Sequence, residues 1–478
     1  MKLPLTRIVE FLAATGDYDP TAVAQGYSID SRTVQAGDLF FAVKGERLDG
    51  HDFVDAALAR GAIAAVVRKD HITRYADSKG LITVDDTLAA LQILATAVRK
   101  LWGKTAIGIT GSMGKTTTKE AVAHLLSIKY RVHRTKGNFN NHFGLPLGLL
   151  TLEPEYDLAV VEMGMNHAGE ITALAHIAQP NEGLVTNVGP VHLEFFDSIA
   201  GIARAKYELI ESLPATGTAF LNADDQYVSQ FGRDFKGRVV LFGLSPMADV
   251  RAENIRPAGT EGTRFDLISA TGLRQAVHSP LLGQHNVYNV LAGAAVALEH
   301  GVTPSEIAEA LPAMAAADKR GEVVHLGNIT VINDCYNCNP NALNAMVDTL
   351  AAMPAKRRIV VAGEMLELGS EAEELHRRCG RHIAEKAIDV LLGVRGLAAA
   401  TVEAARSAGM RAEFVAKPEE AGEWLARETK DGDVVLLKAS RGVKLEKALD
   451  SWKQRLAAPI VANDQRRTTN DCRPTTND

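Results

Sequence analysis

The stretch Ile107-Gly108-Ile109-Thr110-Gly111-Ser112-Met113-Gly114-Lys115-Thr116-Thr117-Thr118 decides the fold of this chain. A short apolar run ends in glycines, and Lys-Thr then opens a segment with helical periodicity, which is the strand, turn and helix order of a phosphate-binding loop. Glycines let backbone N–H groups close around phosphate oxygens, and the following helix directs its positive dipole end at the same anion. The stretch therefore predicts a site for a nucleoside triphosphate.

The glycine spacing is a variant of the strict pattern G-x-x-x-x-G-K-[ST], because Ile109 stands where that pattern has glycine. We expect Lys115 to reach the β- and γ-phosphates and the Thr116 hydroxyl to bind Mg²⁺. The rest of the nucleotide loop is predicted to comprise Gly111, Ser112, Met113, Gly114 and Thr117. An ordinary glycine turn before a helix is the alternative, and the strand, turn and helix context argues against it.

Length and composition limit the class of protein. The chain has 478 residues, enough for about three domains. Its net charge of −6, without a basic block, argues against a nucleic-acid partner. Four cysteines give no disulfide framework, and neither a signal-peptide apolar segment nor a run of about 18 apolar residues is present. We therefore predict a cytoplasmic enzyme with no membrane span, and we expect a monomer.

Residues 1–85 are predicted to form a small α/β domain. The pattern indicates a helix over 5–14, a strand over 39–43 and a second strand over 62–67. Four polar residues lie in the loops between these elements: Ser31, Arg32, Asp49 and His51. Propensity alone favours turn and capping roles for them.

Residues 86–312 are predicted to form a central P-loop domain with a parallel sheet. The strand over 157–164 contains Glu162, and the strand over 183–189 leads to His192. Ligands of such sheets bind at the carboxyl ends of the strands. We therefore predict that Glu162 binds the Mg²⁺ of the nucleotide and that His192 binds a second metal ion.

Other polar residues of the central segment leave more than one interpretation open. The loop with Asn138, Asn140 and Asn141 is either a solvated turn or a set of contacts to phosphate or sugar. Helical periodicity alone makes Lys206 a solvated lysine, whereas Asn286 is predicted to cap a helix. Residues 246–280 are predicted to be a β-rich insertion.

Residues 313–456 are predicted to form a second doubly wound, Rossmann-like domain. Its strand-end loops contain polar groups suited to a charged small molecule, namely Asp334, Asn337, Lys438 and Arg441. Cys335 and Cys338 form a C-x-x-C pair without a second pair, so we interpret them as small loop residues rather than zinc or redox groups. The tail over 457–478 has no apolar periodicity and is predicted to be disordered.

Together these motifs resemble those of the Mur ligases, the ATP-dependent amide ligases that build the peptidoglycan stem peptide. The resemblance covers residues 1 to about 455 and rests on the segments 110–117, 138–141, 161–164 and 187–192. Within the family, residues 333–340, with 364–369 in support, favour members that add a dipeptide over those that add a single amino acid. The resemblance implies UDP-N-acetylmuramoyl-tripeptide and D-alanyl-D-alanine as substrates, ATP and two Mg²⁺ ions as cofactors, and an acyl-phosphate intermediate.

The resemblance also implies individual roles. Lys115 would stabilise the transferred phosphoryl group, and Lys206 would carry a carbamate that positions the second metal beside His192. The remaining implied contacts are Asn286 and Asn289 with adenine, Arg320 and Asp334 with phosphate and ribose, Ser31, Arg32, Asp49 and His51 with UDP, and Tyr336, Asn337, Lys438, Ser440 and Arg441 with the dipeptide.

Two positions depart from the family pattern, which usually has Asp where this chain has Glu364 and Gly where it has Ala439. We expect Ala439 to restrict the loop near the dipeptide carboxylate. Three alternatives stay open on sequence alone: a sister ligase that adds a single amino acid, a P-loop kinase, and a nucleotide-driven switch.

Overall fold

The computed structural model describes residues 1–75, 78–135, 137, 139–191 and 194–457. Within these ranges the strands form sheets of two, five, nine and six strands. The three larger sheets are mainly parallel and follow one another along the chain, so the predicted α/β class is confirmed. Three sequence predictions concern residues outside the described ranges: His192, Asn138 and the tail from residue 458 onwards.

The amino-terminal segment contains a five-stranded sheet in the order β2-β7-β6-β5-β4 and a separate β1-β3 pair. Its elements are β1 (Leu3–Pro4), α1 (Leu5–Leu12), β2 (Thr15–Asp17), β3 (Val23–Ala24), β4 (Gly26–Ser28), β5 (Asp38–Phe41), α2 (Val54–Ala59), β6 (Ala64–Arg68), β7 (Leu81–Val84) and α3 (Thr87–Trp102). Strands β4 to β7 are parallel, and β2 pairs antiparallel with β7. The apolar residues of β5 and β6 are buried on both faces, as is usual for parallel strands.

The central segment forms the nine-stranded sheet in the order β16-β15-β14-β13-β12-β11-β8-β10-β9. Its elements are β8 (Thr105–Thr110), α4 (Lys115–Leu126), β9 (Val132–Arg134), α5 (Gly144–Leu150), β10 (Leu158–Glu162), α6 (Glu170–Ala178), β11 (Glu182–Val185), α7 (Ile199–Glu211), β12 (Thr218–Asn222), β13 (Arg238–Gly243), β14 (Val250–Pro257), β15 (Thr263–Ile268), β16 (Arg274–Ser279), α8 (Gln284–Glu299) and α9 (Pro304–Ala310).

The strand order reverses at β8, because the chain passes to β10 and β9 on one side and to β11 on the other. Ligands of open α/β sheets bind at such a switch point, beyond the carboxyl ends of the strands. Helices α4 and α8 share one apolar core beneath β8, and α3, α6 and α7 share the core on the opposite face. The antiparallel strands β15 and β16 extend the sheet at its edge, which accounts for the predicted β-rich segment.

The carboxyl-terminal segment forms the six-stranded sheet in the order β17-β18-β22-β19-β20-β21. Its elements are β17 (Glu322–Leu326), β18 (Ile329–Asp334), α10 (Pro340–Ala351), β19 (Arg357–Gly363), α11 (Ala372–Glu385), β20 (Val390–Val394), α12 (Ala398–Ser407), β21 (Ala412–Val415), α13 (Pro418–Glu428), β22 (Asp433–Lys438) and α14 (Glu446–Ala457). All pairs except β17-β18 are parallel. In the β18-β22 register Asp334 lies opposite Lys438, which brings two predicted site residues to one sheet edge.

Three predicted details are wrong. Helix α14 includes Ala457, where the tail was predicted to begin. Strand β11 ends at Val185 rather than at Gly189. Asn286 lies in the first turn of α8, whose N-cap is Gly283, and its side-chain amide donates to the Leu282 carbonyl (2.8 Å) instead of accepting a backbone N–H bond.

Among the described residues, no helix combines the length and the apolar character needed to cross a bilayer.

Candidate active site

The loop after β8 has the backbone shape that its glycines predict. Gly111 and Gly114 have φ values of +149° and +81°, in the region that favours glycine. A Cβ atom would lie 1.8 Å from Thr186 Oγ1 at the first position and 2.3 Å from Asn289 Oδ1 at the second. Lys115, the first residue of α4, donates from Nζ to the Gly111 carbonyl at 2.7 Å. The loop therefore presents its ammonium group and the N–H groups of a helix start at the switch point.

Replacement of Gly114 by alanine is expected to weaken ADP binding and to lower the midpoint of thermal unfolding. The left-handed backbone costs an L-residue about 1–2 kcal/mol, and the new methyl group would collide with the Asn289 side chain. Gly169→Ala is the matched control, because Gly169 has φ +86° but nothing within 4 Å of its Cβ position. ADP titration calorimetry that gives equal affinities for the two variants would contradict the predicted collision.

The segment after β11 clamps the nucleotide loop. The Ser112 N–H donates to the Asn187 carbonyl (2.9 Å), and the Met113 N–H donates to Asn187 Oδ1 (2.9 Å). The Thr186 hydroxyl donates to the Met113 carbonyl (2.6 Å), and the Gly189 N–H donates to Ser112 Oγ (2.9 Å). These contacts hold the segment that follows the end of β11 against the nucleotide loop.

A carboxylate and a hydroxyl meet beside this loop. Glu162, at the end of β10, is only 2% exposed. Its Oε2 accepts from the Thr116 hydroxyl and its Oε1 from the Asn140 amide, both at 2.9 Å. Carboxylate and hydroxyl oxygens are the hard ligands that Mg²⁺ prefers, so this donor set fits the predicted metal.

Lys206 is not the solvated lysine that helical periodicity indicates. It lies on α7, 2% exposed, and none of the described residues hydrogen-bonds or pairs with its Nζ. Burial lowers the pKa of Lys206 well below its usual range, and the charge of Lys115 acts in the same direction. The structure thus provides a buried amine that is easily deprotonated, which is the form that reacts as a nucleophile.

Two asparagines connect α8 to the nucleotide loop. Asn289 Oδ1 accepts from the Thr118 hydroxyl (3.1 Å), and the Asn289 amide donates to Asn286 Oδ1 (2.8 Å). Both residues are buried and line the cavity beside the loop. The Asn289 side chain also occupies the space that a Cβ atom at position 114 would need, so α8 packs directly against the nucleotide loop.

The carboxyl-terminal sheet brings an ion pair to the same cavity. Lys438 Nζ lies 2.5 Å from Asp334 Oδ2 and donates to the Asn337 carbonyl at 3.1 Å. Burial opposes the charged form of Lys438, but the Asp334 carboxylate outweighs it and raises the pKa of this lysine. Nearby, the Arg320 guanidinium lies 4.1 Å from the centre of the Tyr336 ring.

Loops of all three larger sheets surround one cavity of about 830 Å³. Its lining includes residues predicted from the sequence: Ser112, Met113, Gly114, Lys115, Thr116, Thr117, Asn140, Asn141, Glu162, Asn286, Asn289, Arg320, Asp334, Tyr336, Asn337 and Lys438. It also includes residues that were not predicted, such as Glu46, Arg47, Leu48, His142, Phe143, His285 and Asn341. The nucleotide loop and the buried Asp334–Lys438 ion pair thus face one space, with a few polar groups converging on it as in a ligand-binding pocket.

Comparison with known proteins assigns the chain to a family. Three family models match it in turn: the Mur ligase family catalytic domain over 24–99, the Mur ligase middle domain over 109–297, and the Mur ligase glutamate ligase domain over 319–441. The UDP-N-acetylmuramoyl-tripeptide--D-alanyl-D-alanine ligase of Bacillus subtilis (strain 168) is 34% identical over 446 residues, 92% of this chain and 96% of the relative. The chain belongs to the Mur ligase family.

Solved structures agree with this assignment. A crystal structure of MurF from Acinetobacter baumannii is 30% identical and superposes with a TM-score of 0.85, covering 95% of this chain and 99% of that one. MurF ligase from Thermotoga maritima, solved in complex with ADP, is 28% identical with a TM-score of 0.79, covering 91% and 98%. The matched family domains contain most strands of the three larger sheets of this Mur ligase.

The predicted UDP residues do not line the cavity of this Mur ligase. Asp49 and His51 hydrogen-bond to one another (2.6 Å), and His51 Nε2 accepts from the Arg68 N–H at 3.1 Å. Arg32 is exposed and pairs with Asp30 at 2.7 Å, while Ser31 lies in the same turn. These contacts fit the turn and capping roles that propensity favours, and a role toward UDP stays a prediction.

Two asparagines of the 138–141 loop behave differently from each other. Asn140 donates to Glu162, a contact that neither open interpretation included. Asn141 Oδ1 accepts from the backbone N–H groups of Phe143 (3.2 Å) and Gly144 (2.9 Å) at the start of α5, so it stabilises a turn.

Two further residues predicted to contact the dipeptide, Ser440 and Arg441, lie in the loop after β22, outside the lining of the cavity. Ser440 Oγ accepts from the Leu366 N–H (3.0 Å) and donates to the Cys338 carbonyl (3.2 Å). Arg441 is exposed and its NH1 lies 2.5 Å from Glu446 Oε1. These contacts hold the loop after β22 but leave the Arg441 head group accessible.

The structure shows the surroundings of Ala439 and Glu364, the two positions that depart from the family pattern. Ala439 is buried and its backbone is not in the left-handed region, so alanine causes no backbone strain there. Glu364 accepts from the Leu397 N–H at 3.0 Å. Burial raises the pKa of the Cys338 thiol to about 12 and that of Cys335 well above its usual range, so both thiols stay protonated at neutral pH.

Two features of the cavity had no sequence signal. His285 Nδ1 is buried without a hydrogen-bond partner in the described structure, and burial lowers the pKa of this imidazole to about 4. The loop with Glu46, Arg47 and Leu48 is exposed and reaches the cavity from the amino-terminal segment. Both depend on contacts between sheets that lie far apart along the chain.

Proposed function

We propose that this Mur ligase joins D-alanyl-D-alanine to UDP-N-acetylmuramoyl-tripeptide at the expense of ATP, in the synthesis of the peptidoglycan precursor. The strongest support is that the nucleotide loop and the Asp334–Lys438 pair line one cavity. The name of the Bacillus subtilis relative states this reaction, and the Thermotoga maritima structure holds ADP.

The reaction follows from the chemistry of the carboxylate. A carboxylate is a poor acylating agent at neutral pH because its leaving group would be oxide. Transfer of the γ-phosphoryl group of ATP to a carboxylate oxygen releases ADP and forms an acyl phosphate. The neutral amine of the dipeptide attacks the carbonyl carbon, and the tetrahedral intermediate expels phosphate. Lys115 supplies the positive charge that brings the two anionic groups into line.

We assign the metal ligands to the central segment. Thr116 and Glu162 hold the Mg²⁺ of the nucleotide, and His192 and Lys206 serve a second Mg²⁺. When bound, Mg²⁺ neutralises charge on the phosphate oxygens and orients them. The buried amine of Lys206 adds to CO₂ with loss of a proton, which yields a carbamate with the oxygen ligands that this metal requires.

We divide the substrates among three domains over 1–85, 86–312 and 313–456, which bind the UDP-sugar, ATP and the dipeptide in a monomeric cytoplasmic enzyme. Loops that meet over one cavity suit this division, because closure of the domains excludes water from the acyl phosphate. The contacts proposed from the family pattern are Ser31, Arg32, Asp49 and His51 for UDP, Asn138, Asn140 and Asn141 for phosphate or sugar, Asn286 and Asn289 for adenine, Arg320 and Asp334 for ribose and phosphate, and Tyr336, Asn337, Lys438, Ser440 and Arg441 for the dipeptide.

Replacement of Arg441 by alanine is expected to raise KM for D-alanyl-D-alanine roughly tenfold and to leave KM for ATP unchanged, because a guanidinium pairs bidentately with a carboxylate. Glu446→Gln is the matched control: it removes the present partner of Arg441 and is expected to lower KM for the dipeptide. Steady-state assays of phosphate release measure both constants. Equal KM values for the dipeptide in all three proteins would contradict this role.

The proposal is tested by phosphate release from ATP and Mg²⁺ with UDP-N-acetylmuramoyl-tripeptide, comparing D-alanyl-D-alanine with single amino acids. Release that requires the dipeptide is expected. Release only with a single amino acid would assign the chain to a sister step, and release with neither amine would refute the ligase assignment.

A further inference from the structure

Lys119 is a buried cation for which the reaction described above has no use. It lies one turn after Lys115 on α4, and its side chain is 0% exposed. Its Nζ donates to the carbonyls of Thr135 (2.7 Å) and Gly137 (3.2 Å). A buried ammonium group is costly unless an anion compensates it, so its position requires a partner of opposite charge.

The buried anion nearest to it is Glu162. Lys119 Nζ lies 3.8 Å from Glu162 Oε2, the same oxygen that accepts from the Thr116 hydroxyl. Its other carboxylate neighbour, Glu120, lies at 3.4 Å but is 25% exposed, so water screens that pair. Because Thr116 and Lys119 are three residues apart, one face of α4 approaches the carboxylate with both a hydroxyl and a positive charge.

The loop after β9 is tied to the same group. Thr135 accepts from Lys119 through its carbonyl and from the Glu162 N–H through its hydroxyl (3.3 Å). Lys119 therefore connects the helix, the strand end and this loop at the carboxylate. Lys115 lies on the nucleotide loop and is committed to phosphate by the proposed reaction, whereas Lys119 has no exposed surface through which to reach a ligand.

We propose that Lys119 is a positioning residue for the metal site, which holds Glu162 against Thr116 by its charge and by its two carbonyl contacts. The inference rests on the proposed function, because it takes Glu162 and Thr116 as ligands of the nucleotide Mg²⁺. Groups that orient metal ligands typically change metal affinity by 10–100-fold when they are removed.

The test measures ADP binding by calorimetry with Mg²⁺ and with EDTA, so it needs no turnover. In the wild-type protein Mg²⁺ is expected to strengthen ADP binding. In Lys119→Met this gain, the ratio of the ADP affinity with Mg²⁺ to that with EDTA, is expected to fall at least about tenfold. The ADP affinity in EDTA is expected to stay within about twofold of the wild-type value. Lys119→Gln keeps a hydrogen-bond donor for the Thr135 carbonyl but lacks the charge, and it is also expected to lose the gain from Mg²⁺. This second variant keeps the test decisive if the methionine variant folds poorly.

Two further variants make the test specific. Glu120→Gln removes the screened neighbour and is expected to keep the full gain from Mg²⁺. In a Glu162→Gln background the change at Lys119 is expected to have no further effect on that gain, because both act through one carboxylate.

An unchanged gain in folded Lys119→Met or Lys119→Gln would overturn the inference and leave the proposed function intact. An equal loss of affinity with Mg²⁺ and with EDTA would also overturn it, since that result indicates a structural role in the loop alone. Absence of any gain from Mg²⁺ in the wild-type protein would overturn both the metal assignment and this inference.

Discussion

Replacement of Lys115 by methionine is expected to reduce kcat for dipeptide ligation by on the order of 10³-fold or more. The methionine side chain has a similar length but no charge, so the carboxylate and the γ-phosphate repel each other without compensation. Lys115 Nζ lies 2.7 Å from the Gly111 carbonyl, within the loop that we propose surrounds the phosphates. Rates of phosphate release under saturating substrates measure the effect.

The control for this prediction is Lys100→Met. Lys100 is exposed on α3, and its replacement is expected to leave kcat and the unfolding midpoint unchanged. Circular dichroism establishes that both variants are folded. A folded Lys115→Met protein with wild-type kcat would show that the nucleotide loop does not catalyse phosphoryl transfer in this chain.

Replacement of Lys206 by methionine is expected to reduce kcat by about 10²–10³-fold while ADP affinity changes little, since Lys206 lies on α7 rather than on the nucleotide loop. The wild-type protein, equilibrated with ¹³C-bicarbonate, is expected to show a carbamate carbonyl signal by NMR that the variant lacks. Burial lowers the pKa of Lys206, so more of its amine is neutral and reactive at neutral pH than for an exposed lysine. At pH values below that lowered pKa the amine is protonated, and the signal is expected to disappear.

Lys236→Met, at an exposed position, is the control for Lys206 and is expected to retain both the signal and the activity. Wild-type protein that lacks the carbamate signal and is fully active after removal of bicarbonate would contradict the role assigned to Lys206.

The nucleotide loop was predictable from sequence because its signals are local. Apolar residues of β8, two glycines that need positive φ, and Lys115 at a helix start follow one another within ten residues. Local patterns of this kind determine backbone shape directly. The position of Glu162 at the end of β10 was predictable for the same reason, since strand ends at a switch point lie together.

The burial of the lysines was not predictable from periodicity. Lys119 and Lys206 lie on helices with ordinary amphipathic patterns, and only packing against other elements makes both side chains inaccessible. The clamp by Thr186 and Asn187 likewise depends on contacts between segments more than 70 residues apart. The prediction that Asn286 caps α8 was wrong because Gly283 occupies the N-cap position, and no local sequence rule distinguishes these two residues.

The central claim is that this chain activates a carboxylate by phosphoryl transfer and then joins it to D-alanyl-D-alanine. The most direct measurement uses UDP-N-acetylmuramoyl-tripeptide whose terminal carboxylate contains two ¹⁸O atoms, with ATP, Mg²⁺ and the dipeptide. Mass spectrometry is expected to find one ¹⁸O in the released phosphate and the other in the amide product. The mass of that product exceeds the mass of the labelled substrate by one dipeptide less the elements of H₂¹⁸O. Released phosphate without ¹⁸O, or a UDP product without the dipeptide, would contradict the account.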